Sequence, residues 1–190
     1  MSFIAYVDNE EFFDKIVSEQ KKGFIKTKEK LFENVRLGNR DEIEEDTTKK
    51  QLVAYSKVYV GDEIMTTTRV GGDDRLVGQM SVGVGGHVER IDMQEFGHFM
   101  LNDPVTSCAM REMNEELSFK NAYIVGFERE GIVFNLTDNV GKCHVGIVFS
   151  FRFNRDARVT VTDDSLRGDL MSPDDIDRDQ LEEWSRLCLT

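Results

Sequence analysis

Four residues of one short segment have the types and spacing that metal chemistry needs: Arg111, Glu112, Glu115 and Glu116. On an α-helix, Glu112 and Glu116 stack on one face and Glu115 lies one step round. Like charges four residues apart cost an isolated helix about 0.2–0.5 kcal/mol. Arg111 can pair with Glu115, but no basic residue is placed to neutralise the other two acids. A hard cation such as Mg²⁺ or Mn²⁺, bound by carboxylate oxygens, would neutralise them.

A glycine-rich segment lies upstream of this helix. Residues 83–86 contain three glycines and lead into His87. Glycine at the end of a strand occurs where the backbone comes close to another group, so a carbonyl of this turn could add a metal ligand. A chain with 36 acidic residues also forms acidic helices that are ordinary solvated surface. The glycine turn ahead of the helix favours the metal site over that alternative.

The two segments together resemble the signature of the Nudix hydrolases, Gly-x5-Glu-x7-Arg-Glu-U-x-Glu-Glu-x-Gly-U, where U is a bulky aliphatic residue. Residues 111–116 match its second half without a gap. Phe119 takes the last U position, and Ser118 replaces the glycine before it. We refer to the helix that carries this match as the box helix.

The first half of the signature can be aligned in two registers. Gly86 and Arg111 are 25 positions apart where the signature has 14, so anchoring on Gly86 implies 11 inserted residues. Anchoring on Gly97 matches the spacing and places Asp103 at the first Glu. We prefer Gly86, because Asp103 is better explained as the N-cap of the following helix. Residues 91–102 then form a lengthened loop, interpreted as a lid or a specificity element.

The resemblance implies an activity and a set of roles. Nudix hydrolases split a pyrophosphate bond in a nucleoside diphosphate joined to a second group, by attack of water on phosphorus with divalent metals. By position, Glu112 and Glu116 would be the main metal ligands, and Glu115 a third acid that pairs with Arg111. The carbonyl of Gly85 would be the backbone ligand.

A narrower resemblance concerns a bacterial and phage subgroup of predicted phosphoesterases of the MutT type. Asp46, residues 50–52 and residues 81–87 carry it, and it covers residues 44–153. The fold implied is an α/β/α sandwich with a mixed sheet.

The general base stays open between an acid of the box helix and an acid of a later loop. The loop candidates are Glu128, Glu130 and Asp138, each of which also suits an ordinary loop acid. We interpret His87 and His144 as structural or surface residues. The arginines near the predicted glycine turns could contact phosphates or simply be exposed: Arg69, Arg75 and Arg90.

Two prolines mark helix starts. Asp103-Pro104 opens the box helix, and Ser172-Pro173 opens a C-terminal helix that runs toward Trp184. The apolar stripe predicted to turn the box helix toward the core consists of Thr106, Ala109, Met110, Met113 and Leu117.

Runs of β-branched and aromatic residues indicate strands on both sides of the box helix. The pattern of residues 52–70 predicts a hairpin around a turn at Gly61. Residues 122–127, 132–136 and 143–153 read as strands, and the last alternates apolar residues at period two, which buries one sheet face.

The front of the chain reads as an extension. Asp8-x-x-Glu11 has the form of a capping box that opens a helix, residues 27–36 suit a second helix, and residues 41–50 form a charged connection. We therefore expect a helical N-terminal extension at 1–50 and a Nudix hydrolase domain at 51–190. The fold class is α+β, with the box helix and a C-terminal helix around the sheet.

Composition narrows the function classes. The 24 basic and 36 acidic residues give a net charge of −12, which argues against broad nucleic-acid binding but not against a capped RNA end. No apolar run approaches the roughly 20 residues of a membrane span, and the N-terminus lacks signal-peptide features. The three cysteines form no Cys-x-x-Cys pair, so no disulfide framework or thiolate zinc site is indicated. We expect a cytoplasmic protein with a small nucleotide-diphosphate substrate, no membrane partner and a possible homodimer.

Two alternatives stay open on the same fold. A nucleotide-binding or regulatory module that has lost catalysis is one, and the four intact residues of the box helix count against it. An isomerase such as isopentenyl diphosphate isomerase is the other, but no strand cysteine is placed as that chemistry requires. The sequence leaves the substrate itself open.

Overall fold

A computed structural model of the chain describes residues 2–16, 20–27, 34–71, 77–94 and 103–189. Within these residues, ten strands form one mixed sheet, and two further strands, β8 and β11, form a separate ribbon. The strands of the main sheet are β1 (Phe3–Asp8), β2 (Lys22–Lys26), β3 (Arg36–Asn39), β4 (Lys49–Val60), β5 (Glu63–Arg69), β6 (Met80–Ser81), β7 (Val84–His87), β9 (Ile124–Asn135), β10 (His144–Phe153) and β12 (Leu166–Met171). The ribbon consists of β8 (Leu117–Lys120) and β11 (Arg158–Val161).

The helices lie between and after these strands. They are α1 (Asn9–Ile16), α2 (Arg40–Ile43), α3 (Arg90–Gln94), α4 (Pro104–Glu116), α5 (Asn139–Cys143) and α6 (Glu183–Cys188). Of the helices in the described part of the chain, none has the length and apolar character to cross a membrane.

Strand β4 shows how both faces of the sheet are covered. It pairs in parallel with β10, which pairs antiparallel with β9, so the sheet is mixed as predicted. Leu52, Ala54 and Val58 point into the main core, which also contains the buried side of α4. Tyr55 and Lys57 point to the other face, where α6 packs. The chain therefore has an α/β/α sandwich, with α4 and α6 on opposite faces.

The strand predictions are confirmed in their main features. The predicted hairpin is β4 and β5, joined by a turn in which Gly61 has φ +60°, a left-handed conformation that favours glycine. Strand β10 buries its apolar period-two residues, but His144 and Ser150 between them are buried too, because the second face is also covered. The predicted strands at 122–127 and 132–136 are one long strand, β9, with irregularities in its pairing to β10.

The prediction of a helical N-terminal extension needs correction. The predicted first helix exists as α1, but β1 and β2 pair with β4 and β9 of the main sheet. Residues 28–33, most of the predicted second helix, lie outside the described residues, and Arg36 begins strand β3. A short strand is stabilised by pairing with residues distant in sequence, which a local pattern does not reveal. The division of the chain at residue 50 stays a prediction.

The C-terminal helix is shorter than predicted. Ser172 makes no side-chain cap, and residues 173–175 and 178–180 form single 3₁₀ turns before α6 begins. Ile176 and Leu181 are both buried in a small second core. They are five residues apart, which would place them about 140° apart on a continuous helix. Burying both residues in one core therefore requires the chain to leave the helical path between them.

Candidate active site

The start of the box helix, α4, is built as the sequence predicts. Asp103 is the N-cap, and its carboxylate accepts hydrogen bonds from the backbone N–H of Val105 at 3.2 Å and the hydroxyl of Thr106 at 2.7 Å. Pro104 occupies the first turn, where its missing N–H costs nothing. Arg129 of β9 forms an ion pair with the same carboxylate, which ties the cap to the sheet.

The buried side of α4 fixes the rotation of the helix. Of the predicted stripe, Met110 packs partly against the main core, and four residues are buried: Thr106, Ala109, Met113 and Leu117. With this side turned inward, the side chain of Glu112 lies at the border and is 15% exposed. Glu115 lies further out and is 58% exposed.

Strand β7 brings the glycine turn against this border. It pairs antiparallel with β4, with Gly86 opposite Ala54 and Gly85 opposite Tyr55. A Cβ atom on Gly86 would overlap the carboxylate of Glu112. A Cβ atom on Gly85 would lie 2.9 Å from the carbonyl oxygen of Ala54. The glycines are therefore needed because the strand backbone runs directly under a carboxylate of the box helix.

Arg111 connects the helix, the strand and the short helix α3. Its Nε and Nη2 atoms donate to the two carboxylate oxygens of Asp92, both at 2.9 Å, and Nη2 also donates to the carbonyl oxygen of His87 at 3.1 Å. Its Nη1 atom donates to Glu112 at 2.7 Å and to Glu115 at 3.2 Å. The hydrogen bonds to Asp92 raise the pKa of Arg111. Arg111 thus pairs with Glu115 as predicted, but its main partner is Asp92.

Asp92 is a site residue that the sequence prediction missed. It is six positions after Gly86, where the Gly-x5-Glu part of the signature places its first acid. Its bidentate pair with Arg111 supports the Gly86 register and places the 11 extra residues between Asp92 and Arg111. Gly97 and most of the predicted loop, residues 95–102, lie outside the described residues.

The carboxylates of the box helix carry charge that the protein leaves largely uncompensated. Burial raises the pKa of Glu112, and Arg111 opposes this shift. Burial also raises the pKa of Glu116 to about 7, and the negative charges of Glu112 and Asp163 add to the effect. None of the described residues forms a hydrogen bond or ion pair with the Glu116 carboxylate. Arg111 therefore pairs with Glu112 and Glu115, and Glu116 has no hydrogen-bonded cation among the described residues.

This donor set fits a hard divalent cation. Mg²⁺ is commonly held by one or two carboxylates, with waters and substrate phosphates completing its shell. Glu112 and Glu116 would supply the carboxylates, and the backbone of Gly86 lies directly beside Glu112. Within the described residues, no three or more acidic, histidine or cysteine side chains are grouped to hold a metal ion.

The loop acids predicted as general bases have other surroundings. Lys57, Ser150 and Glu128 are neighbours in register across β4, β10 and β9, so their side chains share one face of the sheet. Glu130 forms an ion pair with Lys57 at 2.8 Å. Lys57 also donates to the carbonyl of Cys188 in α6, so this face is opposite to the box helix.

Asp138 and the two predicted structural histidines have local partners. Asp138 is the N-cap of α5 and accepts a hydrogen bond from the N–H of Gly141 at 2.6 Å. Nδ1 of His144 lies 2.6 Å from the carbonyl of Val140, and the Nε2 atoms of His144 and His87 are 3.0 Å apart. This geometry fits two neutral rings, in which His144 donates from Nδ1 and accepts at Nε2. Burial lowers the pKa of His87 to about 4 and lowers that of His144.

The arginine and cysteine candidates lie in different surroundings. The guanidinium of Arg90 lies over the ring of Phe3 at 4.6 Å, and Arg75 lies outside the described residues. Arg69 is the arginine whose charge acts on Glu116 and lowers its pKa. Cys108 is buried and its thiol lies 3.2 Å from the carbonyl oxygen of His87, which fits packing rather than nucleophilic chemistry.

Sequence comparison relates the chain to a protein of Bacillus subtilis. No family model matches the chain. The chain is 28% identical over 157 residues to protein YmaB of Bacillus subtilis, which covers 79% of this chain and 74% of YmaB.

The solved structures give the fold. The crystal structure of Tm1382, described as a candidate Nudix hydrolase, superimposes with a TM-score of 0.78 at 24% identity, over 98% of this chain and 96% of Tm1382. A MutT NUDIX hydrolase from Burkholderia pseudomallei aligns with a TM-score of 0.46 at 17% identity, over 74% of this chain and 95% of that chain. The near-complete superposition on Tm1382 shows that the chain has the Nudix hydrolase fold.

Proposed function

We propose that the protein is a divalent-metal-dependent hydrolase that cleaves the pyrophosphate bond of a nucleoside diphosphate linked to a second group. The observation that carries this proposal is the pair Glu112 and Glu116, two acids on the partly buried border of α4, next to the glycine strand. Burial and mutual repulsion disfavour both charges, and Arg111 reaches only Glu112 of the two. An external cation makes this pair stable and gives it a role.

The proposed roles follow from the positions of the residues. Glu112 and Glu116 hold Mg²⁺ or Mn²⁺, with Glu115 as the third acid and the carbonyl of Gly85 as the backbone ligand. Such a metal neutralises phosphate oxygens, lowers the pKa of water and aligns the nucleophile with the leaving group. Arg111 is a positioning residue, because its hydrogen bond of 2.7 Å fixes the carboxylate of Glu112.

The proton acceptor is proposed to be an acid of the box helix. Glu128 and Glu130 project from the opposite face of the sheet, and Asp138 is engaged as a helix cap. Of the carboxylates that pair with Arg111, that of Glu115 is the most exposed to solvent. It is therefore accessible to a substrate and to the attacking water.

A hydrolysis panel tests the proposal. Nucleoside triphosphates, ADP-ribose, dinucleotide cofactors, dinucleoside polyphosphates and capped RNA ends all contain the bond in question. We expect turnover of at least one class with Mg²⁺ or Mn²⁺ and none with a chelator. Glu112→Gln and Glu116→Gln should each lower kcat by at least about 100-fold while the melting temperature stays close to that of the wild type.

Glu128→Gln is the matched control, since it makes the same change on the opposite face of the sheet. It should retain wild-type turnover. Full metal-dependent activity in Glu116→Gln would refute the assignment of the site. Tight nucleotide binding without turnover of any class would instead identify a catalytically silent binding module.

A further inference from the structure

A small cavity with both polar and apolar walls lies between β5, β6 and the start of α6. Its volume is about 150 Å³, and its walls come from β5, β6, the start of β12 and the start of α6. Its polar lining residues are Thr67, Arg69, Gln79, Ser81 and Glu182, and Met80 and Leu166 complete the wall. A cavity of this size accommodates one small ring. Among the described residues, no aromatic side chain lines it, so these walls offer no surface on which a nucleobase could stack.

Glu182 presents a fixed carboxylate at one wall of the cavity. Its Oε1 atom accepts hydrogen bonds from three hydroxyl groups: Tyr55 at 2.8 Å, Ser81 at 3.0 Å and Ser185 at 3.0 Å. Tyr55 and Ser185 are buried, so this network holds the carboxylate in one orientation. The second oxygen, Oε2, receives no hydrogen bond from any described residue. A carboxylate fixed through one oxygen is preorganised to accept hydrogen bonds at the other.

The other wall of the cavity reaches toward the box helix. Arg69 lies close enough for its positive charge to act on both Glu116 and Asp163. Thr67 also lines a second void of about 10 Å³, and the far wall of that void includes Leu117, the residue after Glu116. Arg69, which lines the cavity, is therefore within electrostatic reach of Glu116 at the end of α4, while Glu182 lines the opposite part of the wall.

We propose that this cavity is a ribose subsite, in which Glu182 accepts hydrogen bonds from the vicinal hydroxyls of a ribonucleotide and Arg69 faces its phosphate. This inference rests on the proposed function for the placement of the phosphates. The volume suits a single furanose ring, and the hydroxyl group of Thr67 and the amide group of Gln79 suit its oxygens. A 2′-deoxyribose offers one hydroxyl fewer to Glu182. The protein should therefore prefer ribonucleotides to deoxyribonucleotides.

The test compares binding of AMP and 2′-deoxy-AMP, neither of which contains a pyrophosphate bond. In isothermal titration calorimetry with Mg²⁺ present, the wild type should bind AMP about 10-fold or more tightly than 2′-deoxy-AMP. This affinity ratio corresponds to one hydrogen bond to a charged group. Glu182→Gln should reduce this preference to within about 2-fold. Glu183→Gln is the matched control, because Glu183 pairs with Lys22 and Arg186 instead of lining the cavity.

Melting curves would reveal whether Glu182→Gln is folded. A second variant tests the subsite independently of that result. Tyr55→Phe removes one donor to Oε1 without lining the cavity, and it should lower the AMP preference by about 3-fold through a less fixed carboxylate. Equal binding of both nucleotides by the wild type, or an unchanged preference in the folded variants, would overturn the subsite.

Failure of this inference is distinguishable from failure of the proposed function. If the hydrolysis panel is turned over while ribonucleotides and deoxyribonucleotides behave alike, the hydrolase stands and the ribose subsite is wrong. If AMP is preferred in a Glu182-dependent manner while no compound is hydrolysed, the subsite stands and the hydrolase is wrong.

Discussion

Replacing Asp92 by asparagine perturbs the residue that holds Arg111 in place. The two carboxylate oxygens of Asp92 accept from Nε and Nη2 of Arg111, and Oδ2 also accepts from the backbone N–H of Glu89 at 2.7 Å. Asparagine keeps the shape of the side chain and one acceptor oxygen but removes the charge. The guanidinium then loses its main partner, and its remaining contacts are weaker or more exposed.

The structure predicts a loss of about 3 kcal/mol in the free energy of unfolding. Asp92 is 2% exposed and Arg111 is 20% exposed, so the pair lies within the protein. Breaking a buried ion pair by removing one partner costs about 3–5 kcal/mol. The lower end applies here, because Arg111 retains Glu112 and the carbonyl of His87. For a chain of this size about 1 kcal/mol corresponds to about 2–4 °C, so the melting temperature should fall by about 6–12 °C.

The assay is thermal unfolding followed by circular dichroism, with Glu115→Gln as the matched variant. Glu115 also accepts from Arg111, but it is 58% exposed, and an exposed pair contributes about 0–1 kcal/mol. Its melting temperature should therefore change by less than about 4 °C. Equal shifts in Asp92→Asn and Glu115→Gln would refute the assignment of Asp92 as the dominant partner of Arg111.

Three further predictions follow from the site and its surroundings. Gly86→Ala should raise the Mg²⁺ concentration needed for half-maximal activity by about 10-fold or more, because the new Cβ displaces the carboxylate of Glu112. An unchanged value in a metal titration would contradict the close contact between Gly86 and Glu112. Because the pKa of His87 is about 4 in the folded state and about 6.5 when unfolded, the unfolded chain binds the proton first. Stability should thus fall by up to about 3 kcal/mol between pH 6.5 and pH 4, and urea unfolding of His87→Gln should show a shallower dependence. Burial raises the pKa of Cys188 to about 12, and the other two thiols are buried as well, so a colorimetric thiol reagent should react only after unfolding.

The box helix was predictable because its information is local. A cap at Asp103, Pro104 and an apolar stripe at helical spacing define where the helix begins and which side it buries, and the structure agrees on each point. The same pattern puts Glu112 and Glu116 on one border. Strand β10 was predictable for a similar reason, since its period-two alternation is uninterrupted.

Asp92 and the N-terminal strands were not predictable by the same means. Asp92 does lie six positions after Gly86, but the 11 inserted residues separate it from the rest of the signature, and its role depends on a contact with Arg111 across 19 positions. Strands β1 and β2 are short, and their stability comes from pairing with β4 and β9, which are distant in sequence. The network around Glu182 was not predictable because its hydroxyl groups come from three separate parts of the chain, at Tyr55, Ser81 and Ser185.

The electrostatics of α4 connect the fold to the need for a cation. Asp92 takes two of the three nitrogen atoms of the Arg111 guanidinium, and only Nη1 remains for the acids of the helix. That single atom reaches Glu112 and Glu115 but makes no hydrogen bond to Glu116. A net charge of −12 adds no general attraction for the acids or for an anionic substrate. Under the proposed function, a divalent cation would let Glu112 and Glu116 stay ionised side by side and would let an acidic protein bind a phosphate.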